Sequence, residues 1–350
     1  MIKQDIKNFT LEEIENLLTQ TGEKSYRAQQ IFHWIYKKGI KSFKEMTDIP
    51  EKIKNKIEEG FYISAPFVHD TFKSKDGTEK FVFKLQDNNL IETVLIPSYN
   101  RNTVCVSTQV GCKYRCKFCA SGKRFVRNLT PGEIINQIMF PVFFLQKEIN
   151  NVVVMGMGEP FDNFDSLIKF IKILNSIHGI NIGARKITVS TCGIITGIEK
   201  LSKIPLQIRL SVSLHSVNDK IRNILMPVNK QYPVELLIKS CKAYTKNTGR
   251  RITIEYILIK NTNDSVDDAL KLSALSMQLK ASINLILCQH VPGKDFYPPE
   301  EKTIKRFTDV IKKSHVRLTI RHSKGADIKA ACGQLAGYYK DNIFRNNNKK

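Results

Sequence analysis

From about residue 100 onward, short apolar runs alternate with stretches whose apolar residues recur every three to four positions. The runs Thr103–Thr108, Asn151–Met157, Lys186–Cys192, Gln207–His215, Arg251–Ile259, Ser282–Gln289 and Arg317–His322 predict strands. Helical periodicity falls between most of them, near 131–149, 164–178, 195–203, 233–247, 265–279 and 301–314. Thr130-Pro-Gly-Glu133 predicts a helix start, with a capping Thr, Pro at the first position and Glu three residues on. This alternation predicts an α/β fold: a parallel sheet covered by helices, either doubly wound or curled into a barrel. In a barrel, chemistry gathers where the strands end. The segment 112–119, Gly158-Glu159, Ser190-Thr-Cys-Gly193, Ser213-Leu-His215 and Gln289 each close a predicted strand.

The first 60 residues read differently. Leu11–Leu18 and Ala28–Tyr36 have apolar residues at helical spacing, Asp48-Ile-Pro-Glu51 marks a boundary, and Ile53–Ile57 predicts a further short helix. Arg27, Lys37, Lys38 and Lys41 sit among aromatics. They are either the solvated face of a small bundle or an RNA-docking surface. Residues 61–100 look extended: two strands joined at Asp76-Gly77, a hairpin signal, then Leu90–Ile96. Glu92 lies in that last strand, where a Glu ordinarily faces solvent. The division expected is a helical accessory domain over 1–60, a β-rich extension over 61–100, a core over 101–340 and a disordered tail over 341–350.

Composition narrows the classes. The 350 residues are 42% hydrophobic, enough for a large core plus a smaller unit. No run approaches the roughly 20 apolar residues of a spanning helix, and the first residues lack a signal peptide's apolar stretch. Lys and Arg total 55 against 33 Asp and Glu, a formal net charge of +22. Such a surplus favours a polyanionic partner, although a Lys-rich composition also arises without one. There are eight cysteines and no secretion signal, so a reducing, cytoplasmic setting is expected, in which any disulfide would be transient.

Three of those cysteines, Cys112, Cys116 and Cys119, stand in a C-x3-C-x2-C array with no fourth nearby. A structural zinc site wants four ligands and a cubane iron–sulfur cluster normally takes four thiolates. Three thiolates on a cubane would leave one iron open for chemistry. The other reading is a zinc or redox site completed by a distant Cys or His, as in a zinc-stabilised RNA-binding protein.

The array resembles the signature of the radical SAM superfamily. Its flanks narrow the match: Cys105-Val-Ser-Thr-Gln-Val-Gly-Cys112, Met155-Gly-Met-Gly-Glu-Pro160 and Ala331-Cys332-Gly-Gln-Leu335 are similar to segments of the RlmN/Cfr family of RNA adenine methyltransferases. The resemblance runs over roughly residues 10 to 340. It implies a partial (β/α)6 barrel. It also implies a [4Fe–4S] cluster on Cys112, Cys116 and Cys119, and contacts to S-adenosylmethionine from Gly158, Glu159, Ser190, Ser213, Leu214, His215 and Gln289. Gln289 stands where the family usually carries Asn. Further roles implied are Cys332 as a methyl carrier, Cys105 as the thiol that resolves the intermediate through a transient disulfide, and Glu92 as proton acceptor. Cys192, Cys241 and Cys288 read as core or barrel-mouth residues.

The chemistry implied is methylation of adenine at C2. That carbon lies between two ring nitrogens and is too electron-poor to attack a methyl sulfonium. A radical route avoids the difficulty. Two S-adenosylmethionines are then used per turnover, one to methylate Cys332 and one to generate the radical that activates that methyl. The partners implied are 23S rRNA at the peptidyl transferase centre, tRNA at the adenosine 3′ of the anticodon, and an electron donor of flavodoxin type. A monomer without membrane attachment is expected. A second branch of the family methylates C8. Pro160, where that branch usually carries Ala, favours C2.

Overall fold

The computed structural model of the chain describes residues 3–289, 295–321 and 323–335. His322, at the end of the last predicted strand, and the tail over 341–350 lie outside the described residues. A ten-stranded sheet dominates. Its strands are β1 (Val68–Lys73), β2 (Glu79–Lys84), β3 (Leu90–Ser98), β4 (Arg101–Cys105), β5 (Asn151–Val154), β6 (Ile187–Thr191), β7 (Arg209–Ser213), β8 (Thr253–Leu258), β9 (Ser282–Leu287) and β10 (Leu318–Arg321). They lie side by side in sequence order. The pairings from β4 to β10 are all parallel. Those of β1 to β4 are antiparallel, so the predicted hairpin extends the same sheet.

Each parallel crossover carries a helix. The helices α1 (Leu11–Gln20), α2 (Tyr26–His33) and α3 (Glu51–Gly60) precede the sheet. Then come α4 (Pro131–Met139), α5 (Phe164–Asn175), α6 (Ile195–Ser202), α7 (Asp219–Leu225) with α8 (Val234–Thr248), α9 (Val266–Gln278) and α10 (Glu301–Lys313). The result is six strand–helix units and a seventh parallel strand. Helix α4 starts as its sequence predicts, with Thr130 and Glu133 forming a reciprocal cap. It ends at Met139 rather than near 149, because Pro141 cannot continue the hydrogen-bond ladder and the chain passes into a π turn over Phe140–Phe144.

The sheet is curled and open. Strands β1 and β10 form its two edges and do not pair. Yet four residues after β10 the amide of Gly325 donates to Asp76 Oδ2 at 2.9 Å, in the turn between β1 and β2. Four residues span at most about 14 Å, so the two edges face each other across the barrel opening.

The N-terminal helices pack on the outer helix layer as part of one continuous apolar core. Lys7 is buried there, its Nζ donating to Ser64 O at 2.6 Å and Asn136 Oδ1 at 2.8 Å, which ties the amino end to α4. Lys37, Lys38 and Lys41 point to solvent, with Lys41 4.8 Å over the Phe144 ring.

Candidate active site

The strand ends of the barrel converge on one cavity. Its walls include Cys112, Cys116 and Cys119 from the loop after β4, Gly158 and Glu159 after β5, and Ser190 of β6. Ser213 and His215 at the end of β7, Glu255 of β8, Arg321 of β10 and Cys332 complete it. The expected site residues Gly158, Glu159, Ser190, Ser213 and His215 are therefore brought together. Leu214 and Gln289 are not in the lining. Leu214 is buried behind it, with its amide donating to Glu255 O. Gln289 lies two residues past β9, next to residues 290–294, which are outside the described residues.

The turn after β5 is shaped by glycine. Gly158 has φ +100°, and a Cβ there would fall 2.5 Å from Gln109 Cβ. Only glycine permits that conformation and approach. Glu159 is buried and spends its carboxylate on backbone: Oε1 accepts from Phe161 N at 3.1 Å and Oε2 from Cys192 N at 2.7 Å. Burial pushes its pKa up, against those hydrogen bonds. His215 also has a left-handed backbone, φ +59°. Its Nδ1 accepts from Ile257 N at 3.0 Å, leaving the ring proton on Nε2. Burial, and then the Arg222 charge, push its pKa down to about 3, so the ring is neutral.

The three clustered thiols are free. Burial first, and then the neighbouring Cys119, push up the pKa values of Cys112 and Cys116. Among the described residues, however, no three Cys, His, Asp or Glu donors converge on a single ion. A mononuclear zinc needs such convergence, whereas a cubane takes each thiolate on a different iron. Three thiolates on one short loop are a donor set that a cubane can take, one sulfur to each of three irons. Lys113, Arg115 and Lys117 alternate with the cysteines and point to solvent, Lys113 pairing with Asp162.

Cys332, 213 positions beyond Cys119 in the chain, is brought to the same cavity by a segment pinned at both ends. At one end Asp327 accepts from Ser74 Oγ at 2.6 Å and Lys75 N at 3.2 Å, while Lys80 Nζ donates to Lys329 O at 3.3 Å. At the other, Ala120 N donates to Gly333 O at 2.7 Å and Ser121 Oγ to Leu335 O at 2.6 Å. Gly333 has φ +77°, and a Cβ there would come within 3.2 Å of Phe118 O, so glycine lets this segment lie against the cysteine loop.

Cys332 is an exposed residue, yet burial is the largest cause raising its pKa, followed by the Glu255 charge and opposed by Arg321. The residue stands in the cavity wall, where it is open to solvent on one side and packed by protein on the other. Cys105, at the end of β4, is buried. Its pKa is pushed up to about 12 by burial and then by the neighbouring Cys332. The two sulfurs are thus neighbours, but no disulfide joins them: both cysteines are free in this structure. Cys241 and Cys288 are core residues and Cys192 lines the cavity.

Glu92 is not the solvent-facing strand residue its sequence setting suggested. It is buried and lies outside the cavity lining, with Oε1 3.3 Å from Lys80 Nζ. Register places Val82 opposite Glu92 and Cys105 opposite Val94, so Glu92, Lys80 and Cys105 share one face of the sheet.

The clamp on the Cys332 segment gives a test of the geometry. Burial alone would raise the pKa of Asp76, but hydrogen bonds from Thr78, Gly325 and Ser74 outweigh it and hold the carboxyl at about 2, below its ordinary 3.8. A depressed folded-state pKa stabilises the contact above pH 4 and loses that stabilisation as pH falls from about 4 to 2. Asp327→Ala should expose the segment further, so that trypsin cuts after Lys329 severalfold faster than in the wild type. An unchanged cleavage rate would show that the turn does not hold the segment.

A curled parallel barrel with three thiols on the loop after its first parallel strand is the architecture of the radical SAM superfamily, whose family model matches residues 106–273. That superfamily implies a [4Fe–4S] cluster and S-adenosylmethionine. A second model, the ribosomal RNA large subunit methyltransferase N-terminal domain, matches residues 4–63. The chain is 43% identical over 346 residues to a protein of Clostridium novyi named "Probable dual-specificity RNA methyltransferase RlmN", covering 98% of this chain and 100% of that one. A protein of the same name from Caldicellulosiruptor saccharolyticus is 43% identical, covering 95% and 97%. The crystal structure of a radical SAM methyltransferase from Sphaerobacter thermophilus superposes with a TM-score of 0.89 at 39% identity, covering 95% of this chain and 99% of that one. The chain belongs to the RlmN family.

Sequence reasoning missed Glu255, Arg321, Arg222 and Tyr114. A signal existed for Glu255, because a charged residue in the middle of a parallel strand buried on both faces is out of place.

Proposed function

We propose that this protein is a radical SAM RNA methyltransferase that methylates C2 of adenosine in 23S rRNA and in tRNA, carrying the methyl group on Cys332. The observation that carries the reading is Cys332 in one cavity with Cys112, Cys116 and Cys119, and beside Cys105. When bound, the cluster and S-adenosylmethionine supply a primary carbon radical.

The chain's own residues do the rest. Cys112, Cys116 and Cys119 hold the cluster. Gly158, Glu159, Ser190, Ser213 and His215 line the place where S-adenosylmethionine binds, with Leu214 and Gln289 behind and beside it. Cys332 takes a methyl in one step and presents it to the adenine in the next, so two S-adenosylmethionines are used per turnover. Glu92 accepts the C2 proton, and its place on the sheet face of Cys105 supports that role. Cys105 then attacks the Cys332 sulfur, and the transient disulfide that forms releases the methylated base. A reductant of flavodoxin type returns both thiols to the reduced state.

RNA must offer an unstacked base for C2 to be reached. The net charge of +22 and the exposed Lys37, Lys38 and Lys41 support residues 1–60 as the RNA-docking module on the 101–340 core. Among the described residues no helix is long and apolar enough to cross a membrane, and the reading is of a cytoplasmic monomer. Cys105→Ala should stall turnover after the carbon joins the ring and leave a covalent protein–RNA adduct, seen as a nuclease-sensitive band above the free protein on a denaturing gel. Clean release of product by that variant would remove Cys105 from the release step.

A further inference from the structure

The lining of the cavity contains two carboxylates among its described residues, Glu159 and Glu255. Glu159 is committed to two backbone amides. The one imidazole, His215, already receives an N–H at Nδ1 and carries its proton on Nε2. Glu92 lies outside the lining, beside Lys80. Glu255 is different. It is only 4% exposed, in register with Ser213 on one side and Asn284 on the other. Its Oε1 accepts from Asn284 Nδ2 at 2.9 Å, and no cation lies within ion-pair distance among the described residues. After burial, its charge is the largest influence on the Cys332 thiol.

We propose that Glu255 is the base that takes the thiol proton of Cys332 as that sulfur acquires its methyl group. The proposal rests on the reading of Cys332 as methyl carrier. The Cys332 S–H proton passes to a carboxylate oxygen of Glu255. The sulfur electron pair forms the S–CH3 bond, and the pair of the breaking bond stays on the departing sulfonium sulfur, giving the neutral thioether S-adenosylhomocysteine. No oxidant or reductant enters.

Three features suit Glu255 to this work. Burial raises its pKa, against Arg321, Asn284 and Ser211, which moves it toward the range of an effective base. The Cys332 thiol is itself raised, so it does not ionise unaided. Arg321 lies near both groups and offsets the charge that moves between them. The polar neighbours of Glu255 also face a second cavity. Ser211, Asn284 and Arg321 line this space of about 620 Å³ under the barrel, together with Thr253, Thr319 and Arg317. Arg321 borders both cavities, and Asn284 bonds Glu255 from below.

The test uses the full-length protein with its cluster reconstituted, comparing wild type, Glu255→Gln and Glu255→Ser. Two rates are read at the Cys332 peptide by mass spectrometry: gain of a methyl from S-adenosylmethionine, and alkylation by iodoacetamide without it. Visible absorbance checks that the cluster is retained. Loss of the base should slow both reactions by about a hundredfold. The sign is decisive. A Glu255 that acted only as a negative charge beside the sulfur would, when removed, ease thiolate formation and speed alkylation. Either folded variant reacting at or above the wild-type rate with iodoacetamide overturns the proposal. A wild-type protein that gains no methyl on Cys332 overturns the methyl-carrier reading instead, and the iodoacetamide rates still judge Glu255.

Discussion

Cys332→Ala should abolish RNA methylation, by a factor on the order of 10³ or more, the scale on which removal of a covalent nucleophile acts. The same variant should keep its iron and its visible absorbance, because Cys332 reaches the cavity from a separate segment that the loop over 112–119 does not need. It should also still cleave S-adenosylmethionine when reduced, since in the proposed mechanism cleavage requires Cys112, Cys116 and Cys119 and not Cys332. Iron and sulfide analysis, 5′-deoxyadenosine release and RNA methylation are measured on one preparation. Loss of iron would make Cys332 a cluster ligand. Residual methylation above about a hundredth of wild type would mean that the methyl does not pass through this sulfur.

The second large effect is on stability. Arg222 is fully buried on α7 and has no carboxylate within ion-pair distance among the described residues. Its guanidinium donates instead to Leu214 O at 3.0 Å, Cys192 O at 2.8 Å, Ser213 O at 3.3 Å, Asn229 Oδ1 at 2.6 Å and Tyr232 O at 3.4 Å. It therefore fastens the ends of β6 and β7, where Ser213 and His215 turn into the cavity. Arg222→Met fills much of the space but leaves those acceptors buried and unpaired. Each such group costs about 1–3 kcal/mol, not additively, so the expected total is several kcal/mol. Urea unfolding should show a loss of that size, a large part of a domain's usual 5–15 kcal/mol. S-Adenosylmethionine affinity should fall with it, because the displaced strand ends line the cavity proposed to bind it. A midpoint equal to wild type would mean that the network is redundant.

Much of the barrel was legible because its strands are apolar runs and its helices keep a 3.6-residue period. The strand ends were not. Asn151–Met157 and Gln207–His215 read as strand throughout, but their ladders stop at Val154 and Ser213. Met157 and Leu214 stay apolar because they are buried under the cavity, past the last paired residues of their strands, although the Leu214 amide still donates to Glu255 O. Apolarity reports burial and does not mark where a ladder stops. The cysteine loop, Gly158-Glu159 and Cys332 were legible through a resemblance carried by short motifs.

What motifs could not convey is contact between remote segments. Asp76 and Gly325 are 249 positions apart, as are Lys80 and Lys329. Glu92 looked exposed because nothing in its own strand shows Lys80 on the next one. Glu255 and Arg321 meet Cys332 only when the sheet has curled. The site is thus half motif and half topology, and the topological half supplies the charges around the Cys332 sulfur.

The most direct test of the account is to supply S-adenosylmethionine with a fully deuterated methyl group to the reduced enzyme and analyse the nucleosides of its RNA by mass spectrometry. A methyl held on Cys332 must lose one hydrogen before its carbon joins the ring. The account predicts 2-methyladenosine carrying two of the three deuteriums, the third appearing in 5′-deoxyadenosine. Transfer of all three deuteriums, or a methyl group at C8, would contradict it.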